Sequence, residues 1–346
     1  MKKQMFALLV TLLLLVIAFI GCLEGSNNKS NGRTIYVDLS GGKDFKSIQD
    51  AINNASNGDT IVVSEGIYYE FLYIDKSVNL RGFKYTIISP RNVALNENSI
   101  ICINADNCSI NGLTLIDNDF EIYTIGININ SSNNMIEGNS LFKLNHGIYI
   151  KGNVNGYVFT GNNISNNVIS NCSYGIFIYG YAKNNTIFNN DLIDNTNGIY
   201  LQYFINNSIL ENYAYSNTAY GIYIGSRSDG NIVSRNVCNN NMYGIRFKGV
   251  SFNEIFLNRL ENNEIGLYSC CGSTDNTIYK NTLINNAKHA SDGFTNSWDN
   301  GIVGNYWEDY IVIYPNATQI DHIWNTPYAI PDGNNKDNYP LINPPI

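Results

Sequence analysis

One phrase returns seven times along this chain: a glycine, a short apolar run, then an asparagine-rich turn. It reads Gly126-Ile127-Asn128-Ile129, Gly147-Ile148-Tyr149-Ile150, Gly175-Ile176-Phe177-Ile178, Gly198-Ile199-Tyr200-Leu201, Gly221-Ile222-Tyr223-Ile224, Gly244-Ile245-Arg246-Phe247 and Ile265-Gly266-Leu267-Tyr268. Successive glycines are 21, 28, 23, 23, 23 and 22 residues apart. A near-constant period of this size marks a solenoid, because so short a unit cannot bury its apolar face alone and must stack on a copy of itself. One elongated domain is therefore expected, although 346 residues would suffice for two.

A second phrase keeps step with the first, as in Asn134-Met135-Ile136-Glu137-Gly138-Asn139, Asn207-Ser208-Ile209-Leu210-Glu211-Asn212 and Asn276-Thr277-Ile278-Tyr279-Lys280-Asn281. A third short apolar pair follows, such as Val168-Ile169 or Leu192-Ile193. Three strands per turn of about 22 residues predict a three-sided coil: an all-β, right-handed single-stranded parallel β-helix of about ten coils. Asparagine suits the corners, since its side chain bonds nearby backbone and tolerates left-handed conformations, and amides stacked at one corner can form a ladder. The phrase glycines are expected to supply a bend.

The ends differ from the middle. Lys2 and Lys3 precede an uncharged stretch from Phe6 to Ile20, which predicts a signal peptide over residues 1–21. Cys22 follows Gly21, and residues 22–33 form a polar tether; the Phe19-Ile20-Gly21-Cys22 junction resembles a bacterial-type lipobox, which would make Cys22 a lipidation site. Residues 34–296 carry the β-helix, opened by a short capping helix in which Phe45, Ile48, Ile52 and Ala55 fall at helical spacing and Asp44 or Ser47 can cap the start. Residues 297–346, with Trp298, Trp307 and Trp324 and several prolines, predict an irregular C-terminal cap.

The formal charge is −8, and loss of Lys2 and Lys3 leaves 19 basic against 29 acidic side chains. An acidic chain without a basic block does not suit nucleic acid, whose phosphates need clustered Lys or Arg. Cys102, Cys108, Cys172, Cys238, Cys270 and Cys271 are too scattered for a disulfide scaffold, although Cys102 and Cys108 could close a short loop.

Together these segments resemble an exported family of right-handed β-helix proteins called NosD-like or periplasmic copper-binding, within the pectin-lyase-like superfamily. The resemblance rests on Thr34-Ile35-Tyr36-Val37-Asp38, Asp44-Phe45-Lys46-Ser47-Ile48-Gln49-Asp50-Ala51-Ile52, Gly58-Asp59-Thr60-Ile61-Val62-Val63, Gly66-Ile67-Tyr68-Tyr69-Glu70, Val78-Asn79-Leu80-Arg81-Gly82 and the closing Gly304-Asn305-Tyr306-Trp307-Glu308-Asp309-Tyr310. It spans Thr34 to Leu341 and implies the fold and a place outside the cytoplasmic membrane, at the cell surface or secreted. Versions with the closing phrase resemble surface proteins of methanogenic archaea. A fold is not an activity.

Three kinds of site are candidates. Tyr149, Tyr200, Tyr223 and Tyr268 follow equivalent glycines and are expected to stand in a stripe whose rings can stack on sugar faces. Arg227, Arg235, Arg246 and Lys280 lie on adjacent coils and could line the groove of a polysaccharide lyase, which needs a base and an enolate-stabilising cation; a glycoside hydrolase is the related alternative. Cys270, Cys271 and His289 are a conceivable copper cluster in a chain with three histidines. The lyase lacks the carboxylate cluster that would accompany it. The favoured expectation is accordingly a non-catalytic surface protein without a cofactor, partnered by envelope glycans or surface proteins and by the membrane through Cys22.

Overall fold

The computed structural model describes residues 32–90, 98–117, 124–152 and 158–345. The expected signal peptide, Cys22 and the tether up to residue 31 lie outside these described residues. The rest forms a parallel β-solenoid of about eleven turns, slightly more than expected, with three 11-stranded sheets and one strand from each sheet per turn.

The first face runs from Thr34–Val37 and Thr60–Val63 to Thr277–Tyr279; the second from Gly66–Tyr68 to Thr282–Ile284; the third from Leu72–Ile74 to Lys288–Asp292. All pairing between these strands is parallel, and the register holds from coil to coil apart from a bulge between Tyr179 and Ala182 on the third face. Alternation sends the middle residue of most three-residue strands inward. Ile136, Ile164, Ile187, Ile209, Val233, Ile255 and Ile278 make one column, and Leu141, Ile169, Leu192, Ala214, Cys238, Leu260 and Leu283 make the next. The longer third-face strands send two inward, as Ile222 and Ile224 do, and the columns are shut off from solvent.

The phrase glycines do a different job from the bend expected of them. None of the seven is among the glycines with positive φ. A Cβ built on any of them would lie 2.5–2.6 Å from the carbonyl oxygen of the equivalent residue one coil on, for example Gly221 against Gly244. Glycine is required because adjacent backbones approach too closely for a side chain.

Each coil instead turns at left-handed residues. One corner column is Gly138, Asn166, Asn189, Glu211, Arg235, Leu257 and Lys280, with φ between 51° and 65°. Each immediately precedes a buried asparagine: Asn139, Asn167, Asn190, Asn212, Asn236, Asn258 and Asn281. The side-chain amide of each asparagine donates to the oxygen of the next, at 2.9–3.1 Å, and that oxygen also accepts the backbone N–H of the asparagine before it. A second ladder climbs through Asn134, Asn162, Asn185, Asn207, Asn231, Asn253, Asn276 and Asn296. A third, which the repeat phrases did not single out, climbs through Asn195, Asn217, Asn241, Asn263 and Asn286. Asn195, Asn217, Asn241 and Asn263 stand three or four residues before a phrase glycine, and the amides of all five pack against the glycine one coil earlier.

The ends are closed by special chemistry. At the start, the helix Ile48–Asn54 is capped by Ser47, while Asp44 binds the Tyr36 N–H instead. Glu70 adds a second cap, accepting from the Ser47 hydroxyl and the N–H groups of Ile48 and Gln49. The Gln49 amide both donates to and accepts from the Tyr73 backbone, so it pairs with the strand as a neighbouring strand would.

At the far end, Tyr306–Trp307 joins the second sheet beside Thr282–Ile284, so the C-terminal segment contributes a last rung before it becomes irregular. Buried Asp292 accepts from the Trp298 indole and the Asn296 amide, and buried Asp337 accepts from the Trp307 indole and the Asn305 N–H. Two ladders thus end on carboxylates, and the third ends with the Asn286 amide 3.4 Å from His289 Nδ1.

Candidate functional site

The outward side of the third face carries a band of aromatic side chains. Strict register sets Tyr149, Phe177, Tyr200, Tyr223, Arg246 and Tyr268 in one row along the stacking direction. A parallel row three residues earlier holds His146, Tyr174, Asn197, Tyr220 and Tyr243. The expected stripe is therefore present geometrically, and it is two rows wide.

Its rings pack on one another. Tyr149 stacks on Phe177 at 5.3 Å, and Tyr200 stacks on Tyr223 at 4.2 Å. Tyr174 lies 4.7 Å from Phe177, and Tyr220 lies 5.0 Å from Tyr223. Tyr149, Tyr200 and Tyr268 keep part of their rings in solvent, whereas Tyr223 is only 3% exposed and acts as packing beneath its neighbours. Burial raises the phenols of Tyr149, Tyr174 and Tyr223, which stay neutral hydrogen-bonding groups. His146 is enclosed by Tyr149, Tyr174 and Phe177 at 5.0–5.1 Å, and burial lowers its pKa to about 4. At neutral pH it is an uncharged ring in an aromatic stack.

Arg246 interrupts the row where a tyrosine or phenylalanine would otherwise stand. Its guanidinium carbon is 5.4, 6.0, 5.2 and 5.3 Å from the ring centres of Tyr220, Tyr223, Tyr243 and Tyr268. It donates to the Tyr220 hydroxyl at 2.7 Å and to Cys270 Sγ at 3.7 Å. Four π-faces stabilise the cation in place of a carboxylate.

The four cations proposed for a lyase groove do not converge. Arg246 is on the third face, Arg227 is an exposed left-handed residue in the turn after a third-face strand, and Arg235 and Lys280 belong to the corner column between the first and second faces. The separation follows from register: a residue just before a ladder asparagine stays at that corner in every coil. Arg227, Arg235 and Arg246 lie on neighbouring coils as the spacing in sequence had them, whereas a whole coil separates Lys280 from Arg246, and the spacing did not say on which side each stands.

Cys270 and Cys271 close the last strand of the Arg246 neighbourhood, their sulfurs 2.8 Å apart. His289 lies elsewhere, against Asp309 at 3.6 Å and near Trp307, lining a cleft of about 510 Å³ with Glu308, Tyr314 and Tyr328 at the C-terminal end. Among the described residues, no three His, Cys, Asp or Glu side chains are grouped so as to hold a metal ion. All six described cysteines are thiols; Cys108 Sγ donates to the carbonyls of Lys76 and Ala105, and Cys102 Sγ accepts the amides of Asn104 and Asn130.

A family profile described as periplasmic copper-binding protein (NosD) matches residues 52–237 and again 160–311. No curated protein sequence matches significantly. Among solved structures, the Dettilon tailspike protein superposes with a TM-score of 0.62 at 16% identity, over 79% of this chain and 61% of that one. XylC in complex with xylose gives 0.56 at 12% identity, over 76% and 69%. A mannuronan C-5 epimerase A-module from Azotobacter vinelandii gives 0.51 at 14%, over 75% and 87%. At such identities the likeness is one of fold.

Copper, named in the family's description, needs clustered sulfur and nitrogen donors. Here His146 is walled in by rings, His289 faces Asp309, and Met135 and Met242 are exposed on different strands or turns. The described residues do not fit a copper centre.

Proposed function

Because the chain belongs to the family described as periplasmic copper-binding protein (NosD), we propose that it is an exported, non-catalytic β-helix protein whose third face binds glycans of the cell envelope. The observation that carries this reading is the two-row aromatic band from His146 to Tyr268, held in place by coil register and flanked by the caged Arg246. Rings fixed at intervals along a rigid face meet sugar rings with little further loss of freedom, and their phenols bond hydroxyl groups. The family description supports a place outside the cytoplasmic membrane, and the lipobox-like junction supports tethering through Cys22.

Catalysis is the less supported reading. Arg246 has rings rather than carboxylates around it, and Arg235 and Lys280 stand at another corner. The deciding experiment measures binding of the purified mature chain to soluble neutral and uronate-bearing polysaccharides, and looks for new reducing or unsaturated ends. Saturable binding, weakened about tenfold or more (about 1.4 kcal/mol) in a Tyr149→Ala, Tyr200→Ala, Tyr268→Ala variant, with no chain cleavage, is expected. Binding indifferent to that variant would overturn the glycan reading, and cleavage abolished by Arg246→Ala would make the protein an enzyme.

A further inference from the structure

The last third-face strand of the aromatic band, Ile265–Cys270, ends in a feature that the glycan reading does not use. Cys270 is in register with Lys248 and is 6% exposed, while Cys271 is exposed and left-handed at φ 60°, with Gly272 following at 86°. The turn brings the two sulfurs to 2.8 Å, closer than any other pair of described thiols is held.

We propose that Cys270 and Cys271 are a covalent modification site that forms a vicinal disulfide with a disulfide-bearing oxidant, and that Arg246 sets its redox poise. The Cys271 thiolate, at the surface, attacks a sulfur of the oxidant and expels one thiolate. Cys270, as its thiolate, then attacks Cys271 Sγ and expels the second. Two thiol protons go to solvent and two electrons to the oxidant, which leaves as two thiols.

Two features single out this pair. Burial pushes the Cys270 thiol up, and Cys271 adds to that, but the Arg246 guanidinium 3.7 Å away pulls it down and favours the thiolate. Elsewhere burial acts without such relief: Cys172 is pushed up to about 12 and Cys238 higher still, so those thiols are inert. Adjacent Cα atoms are about 3.8 Å apart, below the usual disulfide span, so the eight-membered ring is strained and readily reduced. A bond of that kind suits a reversible role better than a structural one. Its formation ties the Cys270 sulfur that accepts from Arg246 to Cys271, and so loosens the guanidinium from the edge of the aromatic band.

The test begins with the unaltered mature chain. It is equilibrated with oxidised glutathione, denatured, alkylated with iodoacetamide, digested and weighed. The peptide holding Cys270 and Cys271 should escape alkylation and be lighter by two hydrogens, while those holding Cys108, Cys172 and Cys238 are alkylated. Alkylation of both Cys270 and Cys271, or their recovery as stable glutathione adducts, overturns the proposal. Titration in glutathione buffers then checks the second half. In Arg246→Gln, which loses the cation that stabilises the reduced form, the midpoint should move to more reducing buffers by about threefold or more in the ratio. An unmoved midpoint would remove Arg246 from the proposal.

Discussion

Asn305 donates its backbone N–H to Asp337 at 2.7 Å, in the place where Asn281 donates to the Asn305 amide oxygen and every earlier member donates to the next asparagine. A carboxylate has taken the position of one more amide. It also takes the Trp307 indole and the Tyr339 N–H, so a single buried side chain finishes a ladder and fastens the terminal segment.

Stability should therefore depend on pH through Asp337. Burial raises its pKa from 3.8 to about 7, against the pull of the Asn305, Trp307 and Tyr339 donors. The folded chain binds this proton more tightly than the unfolded one, so the contribution is full below about pH 4 and is lost as pH rises to about 7. The melting temperature should fall between about pH 4 and 7, and Asp337→Asn, whose amide oxygen still accepts, should flatten that slope. Parallel profiles for the two proteins would show that another group titrates.

Asn212→Ala should cost about 2–4 kcal/mol, because it takes the acceptor from the buried Asn190 backbone N–H and the side-chain donor from the Ile187 carbonyl. Asn212→Asp keeps the shape but sets a carboxylate oxygen against the Ile187 and Leu210 carbonyls, so at neutral pH it should be worse. Denaturant melts of the two variants test this order, and a stable Asn212→Asp would mean that the amide donor is dispensable.

Gly221→Ala should destabilise by about 2–4 kcal/mol although glycine to alanine usually stabilises a chain by restricting its unfolded state. The new methyl would sit 2.6 Å from the Gly244 carbonyl oxygen. Gly138→Ala, with open space around its Cβ position but φ of 65°, should cost less, about 1 kcal/mol. Equal losses at the two sites would refute the separation of crowding from backbone strain.

Glu70→Gln should weaken the first coil by about 1 kcal/mol or more, since an uncharged amide replaces the carboxylate over the N-terminus of Ile48–Asn54. Faster hydrogen exchange confined to residues 48–54 is the expected signature; uniform protection would dismiss the cap.

The period of the glycine phrases and the paired asparagines were enough to read three faces, inward columns and two ladders, because side-chain direction alternates strictly along a strand. The same regularity put Tyr149 and Tyr200 in one row. The third ladder was not legible: Asn195 and Asn217 sit in turns full of other asparagines, and only packing tells a buried amide from a solvated one. Nor was the separation of Arg246 from Arg235, because it depends on which residues of the turn take positive φ. Tyr223 was legible as a member of the row but not as a buried one, since its cover comes from Tyr200 on the coil before and from Tyr220 on its own strand.

The ladders run one way. Each coil from Asn185 to Asn263 receives three amide donations from the coil before it and passes three on, so its connections above and below are interchangeable with those of its neighbours. Excision of residues 185–206 would present Asn162 with Asn207, Asn167 with Asn212 and Cys172 with Asn217, each of the kind it had before. Length is therefore a free parameter of this architecture, adjustable by whole coils, whereas Glu70, Asp292 and Asp337 are needed once each, wherever the stack begins and stops.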